Sequence, residues 1–291
     1  MTRSAVGIDI GGSGVRVGLV DADGRIRART AAPMPQAGHP QQLATLVARL
    51  TTDVTTASVE QPAAVGVGLP GLWDRQSGVM SRAVNLPLLE GVNIVGLFEQ
   101  ALGTRIYVDA DVNAATWAQW RSLSPRPERL VYVSMGTGVG GGVVLNGELV
   151  RHTHGGAGHF GFLIVDPSPR ATAGREGLPG SLSAVAAGGW SQPVGVAEDA
   201  PRSAPCSASA LQRLAQALAV ALANLAHIYA PRVILLGGGV VDAHPDIVAC
   251  TATAFARYRS DLLPPELEIR QAPLPSATAG LIGAALLAMS R

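Results

Sequence analysis

The chain has 291 residues, with 22 basic and 21 acidic side chains for a net charge of +1, and every basic residue is arginine. A lysine-free chain excludes Schiff-base catalysis, the P-loop lysine grip on phosphate and the strand lysine of protein kinases, because each needs a side-chain primary amine. The balanced charge gives no electrostatic footprint for nucleic acid or an anionic membrane, and a chain of this length buries roughly 75% of its unfolded surface, enough for one large domain or two ordinary ones.

Charged residues make up only 15% of the sequence, against about 25% in an average soluble protein. Glycine is in excess, with 35 residues where the usual share is about 7%. Cys206 and Cys250 are too few for a disulfide framework and lack metal-ligand spacing, so both are expected to be small buried hydrophobes in a reducing compartment. Met1-Thr2-Arg3 runs directly into a strand-like segment without an apolar signal region. The most apolar stretch, Leu211 to Val241, is interrupted by Asn224, His227, Pro231 and Arg232. A soluble, cytoplasmic protein is expected.

In chain order, Ala5 to Ile10, the glycine turn Gly11-Gly12-Ser13-Gly14, Val15 to Val20, the turn at Asp21 to Gly24, and Arg25 to Thr30 predict an antiparallel meander. Leu43, Leu46, Val47 and Leu50 mark one face of a helix over 41–56. A buried strand is expected at 63–69, helices at 92–102 and 112–121, and a strand at 105–108. After the linker-like 122–127, the opening pattern recurs. Leu130 to Ser134, the glycine loop Gly136 to Gly142, Val143 to Leu145, Asn146-Gly147 and Glu148 to Arg151 repeat strand, loop, strand, turn, strand. Such an internal repeat implies two related domains facing each other across a cleft. The remainder reads as a polar, Gly-, Ala- and Pro-rich region at 168–209, a helix at 210–229, a strand at 233–236, a glycine run at 237–239, a helix at 245–258, a strand at 267–270 and a last helix at 277–289. Strands alternating with helices place the chain in the α/β class.

Asp9-Ile10-Gly11-Gly12-Ser13-Gly14 sets a carboxylate at a strand end beside a turn whose backbone N–H groups can approach an anion. Asp9 can hold Mg²⁺ there, directly or through water; the plain reading is a hairpin turn. The recurrence at Gly136-Thr137-Gly138 favours a clamp for a triphosphate, with Thr137 adding a hydroxyl. Gly237-Gly238-Gly239 lets a flat adenine or ribose approach the backbone, or is a tight strand-to-helix connection. Asp109 and Asp111 stand between a strand end and a helix start. Either can cap the helix, and a carboxylate at such a place can also take the proton of an attacking hydroxyl.

The ordered set of motifs resembles the ROK family (repressors, open reading frames and sugar kinases). It comprises Asp9-Ile10-Gly11-Gly12-Ser13, Gly68-Leu69-Pro70-Gly71, Asn85-Leu86-Pro87, Asp111-Val112-Asn113, Gly136 to Gly142, Gly158 with Gly161, Val165-Asp166-Pro167 and Gly237 to Gly239, and covers essentially the whole chain. The resemblance implies a two-domain actin-like (ribonuclease H-like) ATPase fold with an interdomain cleft, divided into 1–110, joined by the C-terminal helix 277–291, and 111–276. It also implies ATP- and Mg²⁺-dependent phosphorylation of a sugar, commonly at its 6-hydroxyl, by a homodimer. Asp111 matches the catalytic base. Asp9, Gly11, Gly12, Ser13, Gly136, Thr137 and Gly138 match the phosphate and magnesium sites, Gly237, Gly238 and Gly239 the adenosine site, and Gly71 and Asn85 sugar contacts.

The departures concentrate at the sugar positions. Ala110 stands where the family usually has Asn. In the Gly-Glu-x-Gly-His motif the Glu is His159 and the His is Phe162. The stretch 174–183 matches the zinc cluster but has no cysteine and ends in Ser183, so structural zinc is not expected. His152, His154 and His159 on one glycine-rich loop are read as pocket or solvated residues rather than a replacement metal site. His159, which both donates and accepts hydrogen bonds, is the expected substrate contact. A site with rewritten polar groups rejects analogues that leave them unpaired, which points to a modified hexose, for instance an aminosugar such as kanosamine. The alternatives are a sugar-responsive repressor, disfavoured because no helix-turn-helix precedes the first strand, and a non-catalytic sugar sensor. The absent lysine and the glycine excess together imply a phosphate grip built from backbone N–H groups, Thr137 and magnesium near Asp9.

Overall fold

Val6, Ile8 and Ile10 are fully buried on β1 (Ser4–Gly11), which reads as the continuous apolar run of a strand covered on both faces. The computed structural model describes residues 3–35, 39–56, 61–83, 85–151, 158–168, 178–190 and 208–291. β1 pairs antiparallel with β2 (Gly14–Asp21), Gly11 opposite Gly14, and β2 pairs with β3 (Ile26–Pro33). The second turn is fixed by Asp21, whose Oδ1 accepts from the amides of Asp23 and Arg25. Next come β4 (Val65–Leu69), a small hairpin of β5 (Leu72–Trp73) and β6 (Met80–Arg82), and β7 (Tyr107–Ala110). β4 and β7 join β1 in parallel, giving the order β3-β2-β1-β4-β7.

The second sheet has the same construction. β8 (Arg129–Met135), β9 (Val139–Leu145) and β10 (Glu148–Leu149) form its meander, and β11 (Val233–Gly237) and β12 (Glu268–Gln271) add in parallel, in the order β10-β9-β8-β11-β12. The repeat expected from the sequence is therefore present strand for strand, as two sheets of the actin-like ATPase fold. One boundary differs: Gly140, Gly141 and Gly142, read as loop, pair with Ser134, Val133 and Tyr132. Gly141 donates its amide to Gly158 O at 2.8 Å, and the Phe160 ring packs where a side chain at 141 would stand.

The chain folds into two units. Unit 1 is Met1–Arg126, Leu149–Ala157 and Ser276–Arg291; unit 2 is Pro127–Glu148 and Gly158–Pro275. In unit 1, α1 (Pro40–Thr56) presents Leu43, Val47, Leu50 and Val54 to β2, β3 and α2 (Ile94–Leu102). α2 is capped by Asn93, whose Oδ1 accepts from Gly96 N at 2.9 Å. The expected division at 110/111 differs from these units because α3 (Asp111–Arg121) packs against α8 (Ser276–Met289). In unit 2, α4 (Leu182–Trp190) lies in a stretch read as irregular, and α5 (Ala208–Tyr229), α6 (Gly239–Ala243) and α7 (Asp246–Phe255) complete the fold. Cys250 on α7 is exposed, contrary to the expectation of a buried thiol, while Cys206 lies outside the described residues. No helix among the described residues is long and apolar enough to cross a membrane.

α8 carries no amphipathic stripe, since Ala279 to Ala288 are all buried. Its backbone lies directly on the sheet. A Cβ on Gly7 would overlap Leu281 O, one on Gly66 would overlap Ala284 O, and one on Gly283 would overlap Ala114 O. Part of the glycine excess thus serves close helix packing rather than anion binding. Gly66→Ala should lower unfolding free energy by roughly 1–3 kcal/mol or more through overpacking. Gly136→Ala, where a Cβ meets nothing within 4 Å, should change it by less than about 0.5 kcal/mol, as urea unfolding of both variants would report.

Candidate active site

The parallel strands β1, β4 and β7 bring their carboxyl ends together, with Asp9 opposite Gly68 and Gly68 opposite Asp109. Gly68 leaves the space between them open: a Cβ there would stand 3.4 Å from Asp111 Cα. Asp111 begins α3, and its Oδ1 accepts from Val112 N at 2.8 Å. Burial pushes Asp111 up to about 7, with the charge of Asp9 adding to the effect. Asp9 is also raised by burial, partly offset by Arg16, whose Nη1 lies 3.1 Å from Asp9 Oδ2. Gly280 of α8 backs Asp9 so closely that a Cβ would fall 2.6 Å from Asp9 Cγ. Two neighbouring carboxylates, of which only Asp9 is paired with an arginine, make a site that holds a proton near neutrality.

Asp109 has a different environment. Its Oδ1 accepts from Arg75 Nη2 at 3.0 Å, Asn113 Nδ2 at 2.9 Å and Ala110 N at 2.9 Å, and its Oδ2 from Arg151 Nε at 2.7 Å and Tyr107 Oη at 2.9 Å. Burial alone would raise this carboxyl, but Arg151, Asn113 and Arg75 outweigh it and hold it below the usual carboxylate range. Asp109 is therefore a fully engaged anion that fixes the strand-to-helix corner carrying Asp111. Of the two aspartates left open by the sequence, only Asp111 has free proton-accepting character. Arg16, Arg75 and Arg151 were not singled out from the sequence. Arg16 could have been found by counting back from the Gly11–Gly14 turn to the residue facing Asp9, whereas Arg75 and Arg151 lie 34 and 42 residues from Asp109 with no local signal.

The other expected residues separate between the units. In unit 1, Gly11, Gly12 and Ser13 form the tip of the β1–β2 hairpin, and a Cβ on Gly12 would stand 3.2 Å from Asn85 Cβ, so the structure joins Asn85 to this loop. Gly71 has φ +119° and lies against Arg82 O and Met80 Sδ, which gives it a packing reason for lacking a side chain. In unit 2, Gly136, Thr137 and Gly138 are the exposed tip of the β8–β9 hairpin, closed by Gly136 N to Gly138 O at 2.9 Å. Gly237 and Gly238 are buried, Gly238 with φ +93° and packed on the Met135 backbone, and Gly239 opens α6. The glycine run and the hairpin tip are thus adjacent within unit 2. His159 is exposed at the start of a 3-10 turn, Phe160–Phe162, its ring edge-on to Phe162 with centroids 6.2 Å apart. His152, His154 and residues 174–177 of the zinc-cluster stretch lie outside the described residues, while Ser183 falls in α4.

These environments predict opposite responses to substitution. Asp111→Asn should melt above the parent at pH 8. The parent's folded-state pKa lies above its unfolded value, so the parent loses stability as pH rises from about 4 to 7; calorimetry from pH 4 to 8 should show the gap opening with pH. Asp109→Ala strands Arg75 and Arg151, whose side chains are 26% and 22% exposed, and should destabilise by roughly 2–4 kcal/mol, the low side of a broken buried pair.

A family model described as the ROK family matches residues 5–291. The glucokinase of Thermotoga maritima is 25% identical over 98% of this chain and 97% of its own length. An N-acetylmannosamine kinase of Escherichia coli is 27% identical over 98% of both chains. Among solved structures, a ROK family glucokinase from Streptomyces griseus in complex with glucose and AMPPNP superposes with a TM-score of 0.79 at 25% identity, covering 99% of this chain and 100% of that one. With the duplicated sheets and the paired strand-end carboxylates, the match over nearly the whole length places this chain in the ROK family.

Proposed function

We propose that the protein is an ATP-dependent sugar kinase that transfers the γ-phosphate to the 6-hydroxyl of a hexose, with Asp111 as general base. The observation that carries this reading is Asp111 itself, a carboxyl beside Asp9 whose proton affinity lies near neutrality. A base so poised accepts the hydroxyl proton as the oxygen attacks, a contribution of about 10²- to 10⁴-fold in rate. Asp109 and its arginines hold the base in position. The exposed loop residues Gly12 and Ser13, and Thr137 and Gly138, offer backbone amides for phosphate oxygens together with the Thr137 hydroxyl, and Arg16 is paired with Asp9. Gly237 to Gly239 suit the adenosine.

Magnesium fits this donor set. Mg²⁺ keeps several waters and takes one or two carboxylates together with substrate phosphates, and Asp9, buried at the strand end, offers a hard oxygen ligand directly or through water, which leaves Asp111 for the proton. When bound it would neutralise charge on the transferring phosphoryl group. Among the described residues no cluster of three or more His, Cys, Asp and Glu could hold a metal without such help.

For the sugar, the likeness to both a glucokinase and an N-acetylmannosamine kinase leaves the pocket residues to decide. Ala110 contributes no polar group, and the exposed His159 beside Phe162 favours a modified hexose, with an aminosugar such as kanosamine as the specific candidate. Gly71 and Asn85 complete the proposed sugar contacts, and the active form is taken as a homodimer, to be checked by light scattering.

ATP consumption should be followed with glucose, N-acetylmannosamine and aminosugars as acceptors. One acceptor should show turnover that Asp111→Asn reduces by about 10²-fold or more, and His159→Ala should raise the KM for that acceptor more than it lowers kcat. Sugar binding without ATP consumption for every acceptor would make the chain a sensor instead.

A further inference from the structure

The end of unit 1 opposite Asp9 and Asp111 holds a second cavity, of about 950 Å³, at the amino ends of the same parallel strands. It lies four residues back along β7 from Asp111, a distance of about 13 Å at strand rise, so the two places are distinct. Arg3, Arg105 and Arg291 line it together with Thr51, Gln61 and Tyr107, and no aspartate or glutamate side chain is among the described residues that line it. In a chain with 22 basic and 21 acidic residues, that is a local surplus of positive charge.

The donors are uncommitted. Among the described residues Arg3 and Arg105 form no ion pair and no side-chain hydrogen bond, and Arg291 lies only over the Tyr107 ring, 5.3 Å from its centroid. Guanidinium groups match the oxygens of phosphate bidentately, and a monoester carries a charge of about −1.5 to −2 at pH 7, which suits three unpaired cations better than a single carboxylate does. The volume, within the roughly 300–1,000 Å³ range of small-molecule sites, exceeds what a bare oxyanion fills, and the lining mixes hydrogen-bonding with apolar groups.

We propose that this cavity binds a phosphate monoester of a small polyhydroxy compound, with Arg3, Arg105 and Arg291 on the phosphate and Gln61 on the organic part. The site does not depend on the kinase assignment, and its test needs no turnover. Glucose 6-phosphate, inorganic phosphate, glucose and citrate would each be titrated into the full chain by calorimetry at ~150 mM salt. Glucose 6-phosphate is expected to bind more tightly than the other three. The double variant Arg3→Gln/Arg105→Gln should weaken it at least tenfold, the lower end for loss of charge-assisted hydrogen bonds, with unchanged binding of nucleotide at the first site. Arg291→Gln, at an exposed position, should weaken it severalfold and serves if the double variant is poorly folded. Undetectable binding of glucose 6-phosphate at 10 mM would overturn the proposal. So would unchanged affinity in the variants, which would put the ester elsewhere, or equal or tighter binding of phosphate, glucose or citrate, which would remove the ester specificity.

Discussion

The backbone of α8 rests on the backbone of the first sheet, and unit 1 is built around that contact. Leu281 and Ala284 carbonyls occupy the space that side chains at Gly7 and Gly66 would need, and Gly283 gives way in turn to Ala114 of α3. Such an approach requires glycine on whichever partner faces a carbonyl, and it requires a helix with no polar side, because every face of α8 is covered. α8 therefore sets the height of α3 above the sheet, and with it the position of Asp111. It also presents Gly280 to Asp9, which lets the carboxylate stand at the strand end without a side chain crowding it from behind.

Within that frame, two aspartates separated by Ala110 differ in what surrounds them. Asp109 receives five hydrogen bonds, two of them from arginines, so its ionised form is the stable one. Asp111 receives a backbone amide, loses hydration and faces the charge of Asp9. The corner is held by the first carboxylate and strained electrostatically by the second. A site that stores unfavourable charge where chemistry is expected, and compensates by fixing its neighbour, is a common trade between stability and activity.

The meander repeat was legible because apolar alternation and turn glycines are local signals, and both sheets follow them. The strand-end positions of Asp9 and Asp111 follow from the same reading. What could not be read was anything decided by distant partners. Gly140 to Gly142 look like loop, yet continue β9 because β8 lies alongside and the Phe160 ring needs the space at Gly141. The role of Asp109 depends on Arg75 and Arg151, which no spacing rule connects to it. Cys250 lies on the solvent side of α7, a face that composition cannot assign. The glycines that admit α8 were not legible, because a strand glycine that admits a helix backbone looks no different in sequence from one that admits a phosphate.

Because α8 is the last helix of the chain and completes the first unit, that unit stays unfinished through most of translation. At about 5–20 residues per second, the strands of 1–126 emerge on the order of ten seconds before Ser276–Arg291 can cover them. During that interval Gly7, Gly66 and the apolar strands around them present an open face, while unit 2 is being synthesised. The nascent chain thus has a long window in which its apolar sheet must be kept from other partners, and the surroundings of Asp9 and Asp111 are assembled last.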